Sequence, residues 1–320
     1  MLSLLRSNQP IASAIIPLTG VIFLLLHVLL GGNEAGQEPY NAPLLQALQL
    51  HLGVYFHYAA IVANGLLLNG LFNRHELVSG RNNLAGWFFV FIVCCLPVAL
   101  PVGPVLLGGL FFIPGLNATL KVYRQNDGTA HYFNAGFLFG VATLFDGSFA
   151  LAGVLLFASI FYTRAAKWRE LVLPLFGFLL PSAMGIVILW LFGMPLLDVV
   201  YSPFSTHEPF SPQLRDIAPL LVFVLGLLFG FGFLINAFGS SSNKSKNSKA
   251  VLVMFAGGLV AASVFVYPVN TMAALTMAAF PAAWVLPWPF VLKVRGFQKV
   301  LFLLYLVAGS LLYFWTSFKM

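Results

Sequence analysis

Few residues in this chain are able to do chemistry, and most of them are costly where they lie. Glu34 and Glu38 stand in an acidic loop, Asn33-Glu34-Ala35-Gly36-Gln37-Glu38-Pro39-Tyr40, just after the first apolar run. A carboxylate at that place has the position of a general base able to take a proton from an acceptor hydroxyl. A solvated acidic loop explains the same two residues equally well. Asp146 separates two short apolar runs, and an ionisable group at membrane depth is a functional candidate by default. Beside Gly147 and Ser148 it also reads as a simple helix cap. Trp168-Arg169-Glu170 falls at the head of a long apolar run. There the indole anchors to the interface, and the guanidinium pairs with Glu170 or grips a lipid phosphate. Four imidazoles, His27, His51, His57 and His207, fall on one side of the chain's topology. His51 and His57 are about 240° apart around a helix and share no face. No HxxxH or HExxH spacing occurs, so the reading assembles no metal or haem site and expects no cofactor.

The elements that position these groups follow from composition. Of 320 residues, 60% are hydrophobic and 8% charged, with 33 Phe, against about 25% charged in a soluble domain. In lipid only helices or closed barrels satisfy their backbones, and the apolar runs lack the two-residue alternation of barrel strands. The expectation is an all-α, polytopic transmembrane helical bundle occupying residues 1–320 as one integral membrane domain. Cys94 and Cys95 are adjacent in an apolar run, which makes neither a disulfide framework nor a CxxC site.

Spans of roughly 20 residues are read at Ile11–Leu30, Leu52–Phe72, Leu84–Leu100, Val105–Leu120, Leu171–Phe192, Ile217–Phe238, Ala250–Tyr267, Thr271–Leu292 and Val300–Trp315. Pro43–Leu50, with Gln46 and Gln49, is read as a separate surface helix. Ser240–Lys249 (SSSNKSKNSK) is read as a flexible cytoplasmic linker, and 193–216 as the longest external loop. Asn64, Asn69, Asn117, Asn236 and Asn270 are expected to bond between helices. Pro97, Pro114, Pro174, Pro181 and Pro281 interrupt apolar runs.

Two runs are too short. Phe133–Phe145 would be roughly 20 Å long against a hydrocarbon core of about 30 Å. With Ser148–Tyr162 it reads as a hairpin, Phe133–Tyr162, turning at Asp146-Gly147, and Gly136 and Gly140 allow close packing on a neighbour. The count becomes about 11 membrane segments. Arg6, Arg74, Arg81, Lys121, Arg124, Arg164, Lys167, Arg169, Lys244, Lys246, Lys249, Lys293, Arg295 and Lys299 then share one face. Only Arg215 and Lys319 fall on the other, so fourteen of sixteen cations agree. The positive-inside rule places the N-terminus in the cytoplasm of a multi-pass bacterial inner-membrane protein. The net charge of +7 follows these loops, pointing to membrane lipids rather than nucleic acid.

Asn134-Ala135-Gly136-Phe137 with Leu138-Phe139, then Arg164-x-x-x-Trp168-Arg169-Glu170 leading into Leu173-Pro174-Leu175-Phe176-Gly177-Phe178, resembles an uncharacterised family of Bacteroidota inner-membrane proteins, the domain of unknown function numbered six-four-two-seven. The opening MLSLLRSNQPI and the stretch from Asn69 to Asn83 are similar to it as well. The resemblance covers the whole chain, most specifically Asn134–Pro181, and Trp168-Arg169-Glu170 matches the family's aromatic-Arg-Glu signature. Asn134 replaces the acidic residue usual before Ala-Gly, which weakens a catalytic role there. The family implies an architecture and a cell-envelope setting, and no activity. Three roles stay open. The reading favours a non-catalytic one, as a membrane subunit of a larger envelope or secretion complex or as a transporter for a lipid-linked or secreted substrate. The alternative is a C-type membrane glycosyltransferase using a polyprenyl-phosphate sugar, with Glu34 or Glu38 as base.

Overall fold

The computed structural model describes residues 5–6, 10–29, 43–78, 80, 82–96, 103–122, 128–163, 168–191, 214–239, 243–267, 271–291 and 296–317. Every regular element among them is helical. In chain order these are α1 (Pro10–Ser13), α2 (Ile15–Leu29), α3 (Pro43–Arg74), α4 (Leu84–Cys95), α5 (Pro104–Lys121), α6 (Thr129–Phe145), a 3₁₀ turn (Gly147–Phe149), α7 (Ala150–Thr163), α8 (Trp168–Leu191), α9 (Leu214–Gly239), α10 (Asn243–Val266), α11 (Thr271–Val285), α12 (Trp288–Val291) and α13 (Phe297–Ser317). Among the described residues, five stretches are long and apolar enough to cross a membrane: Val54–Arg74, Pro104–Lys121, Trp168–Val187, Ser245–Val266 and Ala273–Val291.

Three sequence readings are corrected. Pro43–Leu50 is not a separate surface helix, because α3 runs unbroken through Arg74. Glutamine is a good helix former and no proline interrupts the join, so nothing stops the helix there. The third span ends at Cys95 rather than Leu100, with Leu96 extended at φ −69° and ψ 147°. Pro97 follows, and the residue before a proline is pushed out of the helical region. Asn243–Lys249, expected to be linker, forms the opening turns of α10. Ser248 and Lys249 are buried, so tertiary packing overrides the helix-poor, polar composition of this stretch. Residues 240–242 lie outside the described residues, as do 193–213 of the expected external loop, and Leu214–Asp216 already belong to α9.

The hairpin is present. Asp146 ends α6 in extended conformation (φ −147°, ψ 121°), and the distant ends meet where Tyr132 Oη lies 3.2 Å from Thr163 Oγ1. The two arms therefore run antiparallel and do not fuse. The GxxxG of α6 finds its neighbour in α8. A Cβ on Gly136 would strike the Pro174 carbonyl, one on Gly140 the Phe178 carbonyl, and one on Gly177 the Phe133 carbonyl at 2.5 Å. Residue numbers rise together along this seam, so α6 and α8 are parallel and in backbone contact. Small residues permit that approach where lipid supplies no hydrophobic drive between helices.

The centre is filled by rings. Phe112 of α5, fully buried, meets Phe139 at 5.5 Å, Phe149 at 5.2 Å, Phe255 at 6.1 Å, Phe280 at 6.2 Å and Trp284 at 6.2 Å. A second group stacks Trp87 on Phe91 at 5.0 Å and continues through Phe88, Phe290 and Phe302. Trp87 Nε1 donates to Thr19 Oγ1 at 3.1 Å, tying α4 to α2. Nearly all of Ala273–Val291 is buried and little of Trp168–Val187 is, which puts α11 at the centre and α8 at the edge.

Asn64 joins two helices inside this core. Fully buried, it donates from Nδ2 to Ala60 O at 2.9 Å and across to Leu106 O at 2.8 Å. Asn64→Ala is expected to lower thermal stability in detergent by about 1 kcal/mol, the usual scale of one interhelical bond in a membrane. A loss matching a surface alanine substitution would show that the bridge contributes nothing.

Candidate functional site

Among the described residues, one end of the bundle gathers polar and basic side chains from segments distant in the chain, and it is built from short local rules. Asn82 and Asn83 sit between α3 and α4. Asn73 clamps Asn82, donating from Nδ2 to Asn82 O and accepting at Oδ1 from Asn82 N, both at 3.0 Å. Asn82 Oδ1 accepts from the Leu84 amide at 3.2 Å, which starts α4. Asn69 Nδ2 donates to Asn83 Oδ1 at 2.7 Å. The Asn83 amide donates to Leu5 O at 2.8 Å, drawing the N-terminal segment onto the same end. His75 Nε2 lies 3.0 Å from Asn117 Oδ1, and Ser245 Oγ donates to Glu76 O at 3.4 Å.

Two further pieces complete this end, and sequence spacing gave no hint of either. Arg6 Nη2 donates to Gln298 Oε1, a pair 292 positions apart. Gln298 in turn donates from Nε2 to Pro289 O at 2.9 Å. Lys249, buried at the start of the apolar part of α10, places Nζ 4.5 Å from the Trp288 ring centroid and 3.4 Å from Ala237 O. Ala237 is in the last turn of α9, where carbonyls lack intrahelical partners and a cation suits the dipole. The one available signal was polarity out of place: a lysine and a glutamine at the borders of apolar runs.

The sequence-picked residues that are described do not converge on one place. Trp168 and Arg169 open α8 on its outer surface, Trp168 being 68% exposed, while Glu170 beside them is 1% exposed. Arg169 lies over Trp168, its Cζ 5.6 Å from the ring centroid. This is a cation–π pair beside a buried carboxylate. Asp146 belongs to the other end of the parallel α6–α8 seam, about 25 Å away along the helix. Glu34 and Glu38 lie outside the described residues.

Asp146 caps the 3₁₀ turn, its Oδ1 accepting from the Ser148 amide at 2.9 Å. Asp146→Asn keeps an acceptor oxygen for the Ser148 amide and should melt like the parent. Asp146→Ala removes the cap and should lose about 1 kcal/mol. A loss in the Asn variant as large as in the Ala variant would mean that the carboxylate itself, rather than the cap, is needed.

His27 and His57, on different helices, converge on Tyr58, with ring centroids 6.2 Å and 5.8 Å from it. Angles within one helix could not reveal this meeting. Among the described residues no three His, Cys, Asp or Glu side chains group as metal ligands, and the side chains of His51 and His207 are not among those described.

No curated protein and no solved structure matches the chain. A family model does, along residues 1–320, and it is the one resembled through Asn134–Pro181. The chain belongs to DUF6427, a family of unknown function.

Proposed function

We propose that the protein is a non-catalytic, multi-pass subunit of the bacterial inner membrane, with its N-terminus and basic end in the cytoplasm. It would serve a larger envelope machine that handles a lipid-linked or secreted substrate. The observation that supports this reading is the filled centre. Phe112 and the five rings around it occupy the place where a transport path would run. The positive-inside distribution of fourteen cations supports the orientation.

Transport is the second reading, and its warrant is the pair Pro174 and Pro181 inside α8. Prolines free backbone groups that can meet a substrate. Here both are buried, and the Pro174 carbonyl packs on Gly136, so these sites serve helix contact. The glycosyltransferase reading still rests on Glu34 and Glu38.

The test is purification of the tagged protein in mild detergent, with mass spectrometry of bound proteins and lipids. A stoichiometric protein partner is the expected result. A solitary protein that moves solute in proteoliposomes would replace this reading with transport. A copurifying polyprenyl phosphate, with function lost in Glu34→Gln, would replace it with transfer chemistry.

A further inference from the structure

Arg6 precedes the first helix, yet it is not free to extend into water. Leu5 is fully buried and its carbonyl is fixed by the Asn83 amide at 2.8 Å. The guanidinium is thus held at the basic end, where its described side-chain partner is Gln298, a neutral group itself held by Pro289 O. The buried Arg6 Nε has no hydrogen-bond partner among the described residues. The indole Nε1 of Trp288, next to Pro289 in sequence and 3% exposed, also has none. Lys249 lies 4.5 Å over that indole and adds a fixed positive charge, although its Nζ also serves Ala237 O. α13 begins at Phe297, so the positive end of its dipole falls beside Gln298.

Among the described residues, the open groups of this cluster, Arg6 Nε and Trp288 Nε1, are both donors, and Lys249 adds a positive charge. A buried donor without an acceptor is unfavourable, more so when it is charged. Desolvation also holds the Arg6 guanidinium below its ordinary value. An anion with several acceptor oxygens would supply the acceptors that Arg6 Nε and Trp288 Nε1 lack, and the planar fork of arginine matches phosphate geometry. A carboxylate holds its two oxygens in one plane, whereas a phosphate, free or as a diester, presents its oxygens in a tetrahedral spread that suits donors from separate elements.

We infer that Arg6, Gln298 and Trp288, with the charge of Lys249, form a binding site for a phosphate-bearing anion at the basic end of the bundle. The site is distinct from the Trp168-Arg169 pair and does not depend on the subunit reading. A lipid headgroup and free phosphate share this chemistry.

The experiment uses the full chain. Retained phosphatidylglycerol is counted by native mass spectrometry after exchange through phosphatidylcholine–phosphatidylglycerol vesicles. Melting is followed in detergent with chloride or with inorganic phosphate. Binding of the lipid alone identifies a headgroup site, and stabilisation by inorganic phosphate identifies a soluble anion. Arg6→Ala should weaken either by about tenfold or more, the scale of a charged hydrogen bond. Trp288→Phe keeps the ring packing and removes only the N–H, and about a fivefold loss is expected. Lys299→Ala, at an exposed cation one residue from Gln298, should change nothing. If Arg6→Ala fails to fold, Trp288→Phe decides the matter. Binding of neither ligand to the parent overturns the proposal. So does equal loss in Lys299→Ala, or parent-like binding in both site variants.

Discussion

Gly136→Val is expected to destabilise the protein by about 3 kcal/mol, at the upper end for overpacking a tight contact. The opposing atoms are the Pro174 carbonyl and its neighbouring backbone, and backbone in a helix cannot swing aside as a flexible side chain does. The whole of α8 must move, and the Gly140–Phe178 and Gly177–Phe133 contacts open with it. Unfolding can be read with a thiol-reactive fluorophore, since Cys94 and Cys95 are both buried and free. Gly257→Ala is the matched control. Nothing lies within 4 Å of its added Cβ, so relief of glycine's helix penalty should make it neutral or slightly stabilising. Equal shifts in the two variants would remove the seam from the account of stability.

Phe112→Ala should cost a similar amount, about 3 kcal/mol, the low end for phenylalanine in a core. The reason for the low end is physical. In a bilayer the unpacked side chain faces lipid rather than water, so the transfer contribution is small and lost packing carries the effect. Five rings lose a common neighbour, and no single one can fill the space. Phe112→Leu should retain more than half of the stability lost in the alanine variant. Phe161→Ala, at a position 64% exposed, should shift melting little. A large loss at Phe161 would point instead to a covered outer surface.

What the sequence made legible was whatever depended on neighbours in the chain. The turn at Asp146-Gly147-Ser148 and the small-residue face Gly136/Gly140 are local patterns, and both govern the packing found. The expectation that Asn64 and Asn69 bond across helices also held, because a buried amide in an apolar run has few other outlets. The errors came from polarity taken as a sign of surface. Gln46 and Gln49 suggested a separate surface helix, and Ser and Lys in 243–249 suggested a linker, yet both stretches are helical. The site was least legible. Arg6 meets Gln298 across almost the entire chain, and His27 meets Tyr58 from another helix. Spacing within one helix carries no information about either meeting.

The parallel seam also constrains how the protein is made. Gly136 is synthesised a full helix and turn before Pro174, so α6 leaves the ribosome with no partner for its glycine face. Its next neighbour in the chain, α7, returns antiparallel and does not supply that contact. The groove can close only when α8 has been delivered to the bilayer. A nascent chain halted after Thr163 would present bare backbone to whatever holds it during insertion, and assembly of this edge must wait on the order of translation.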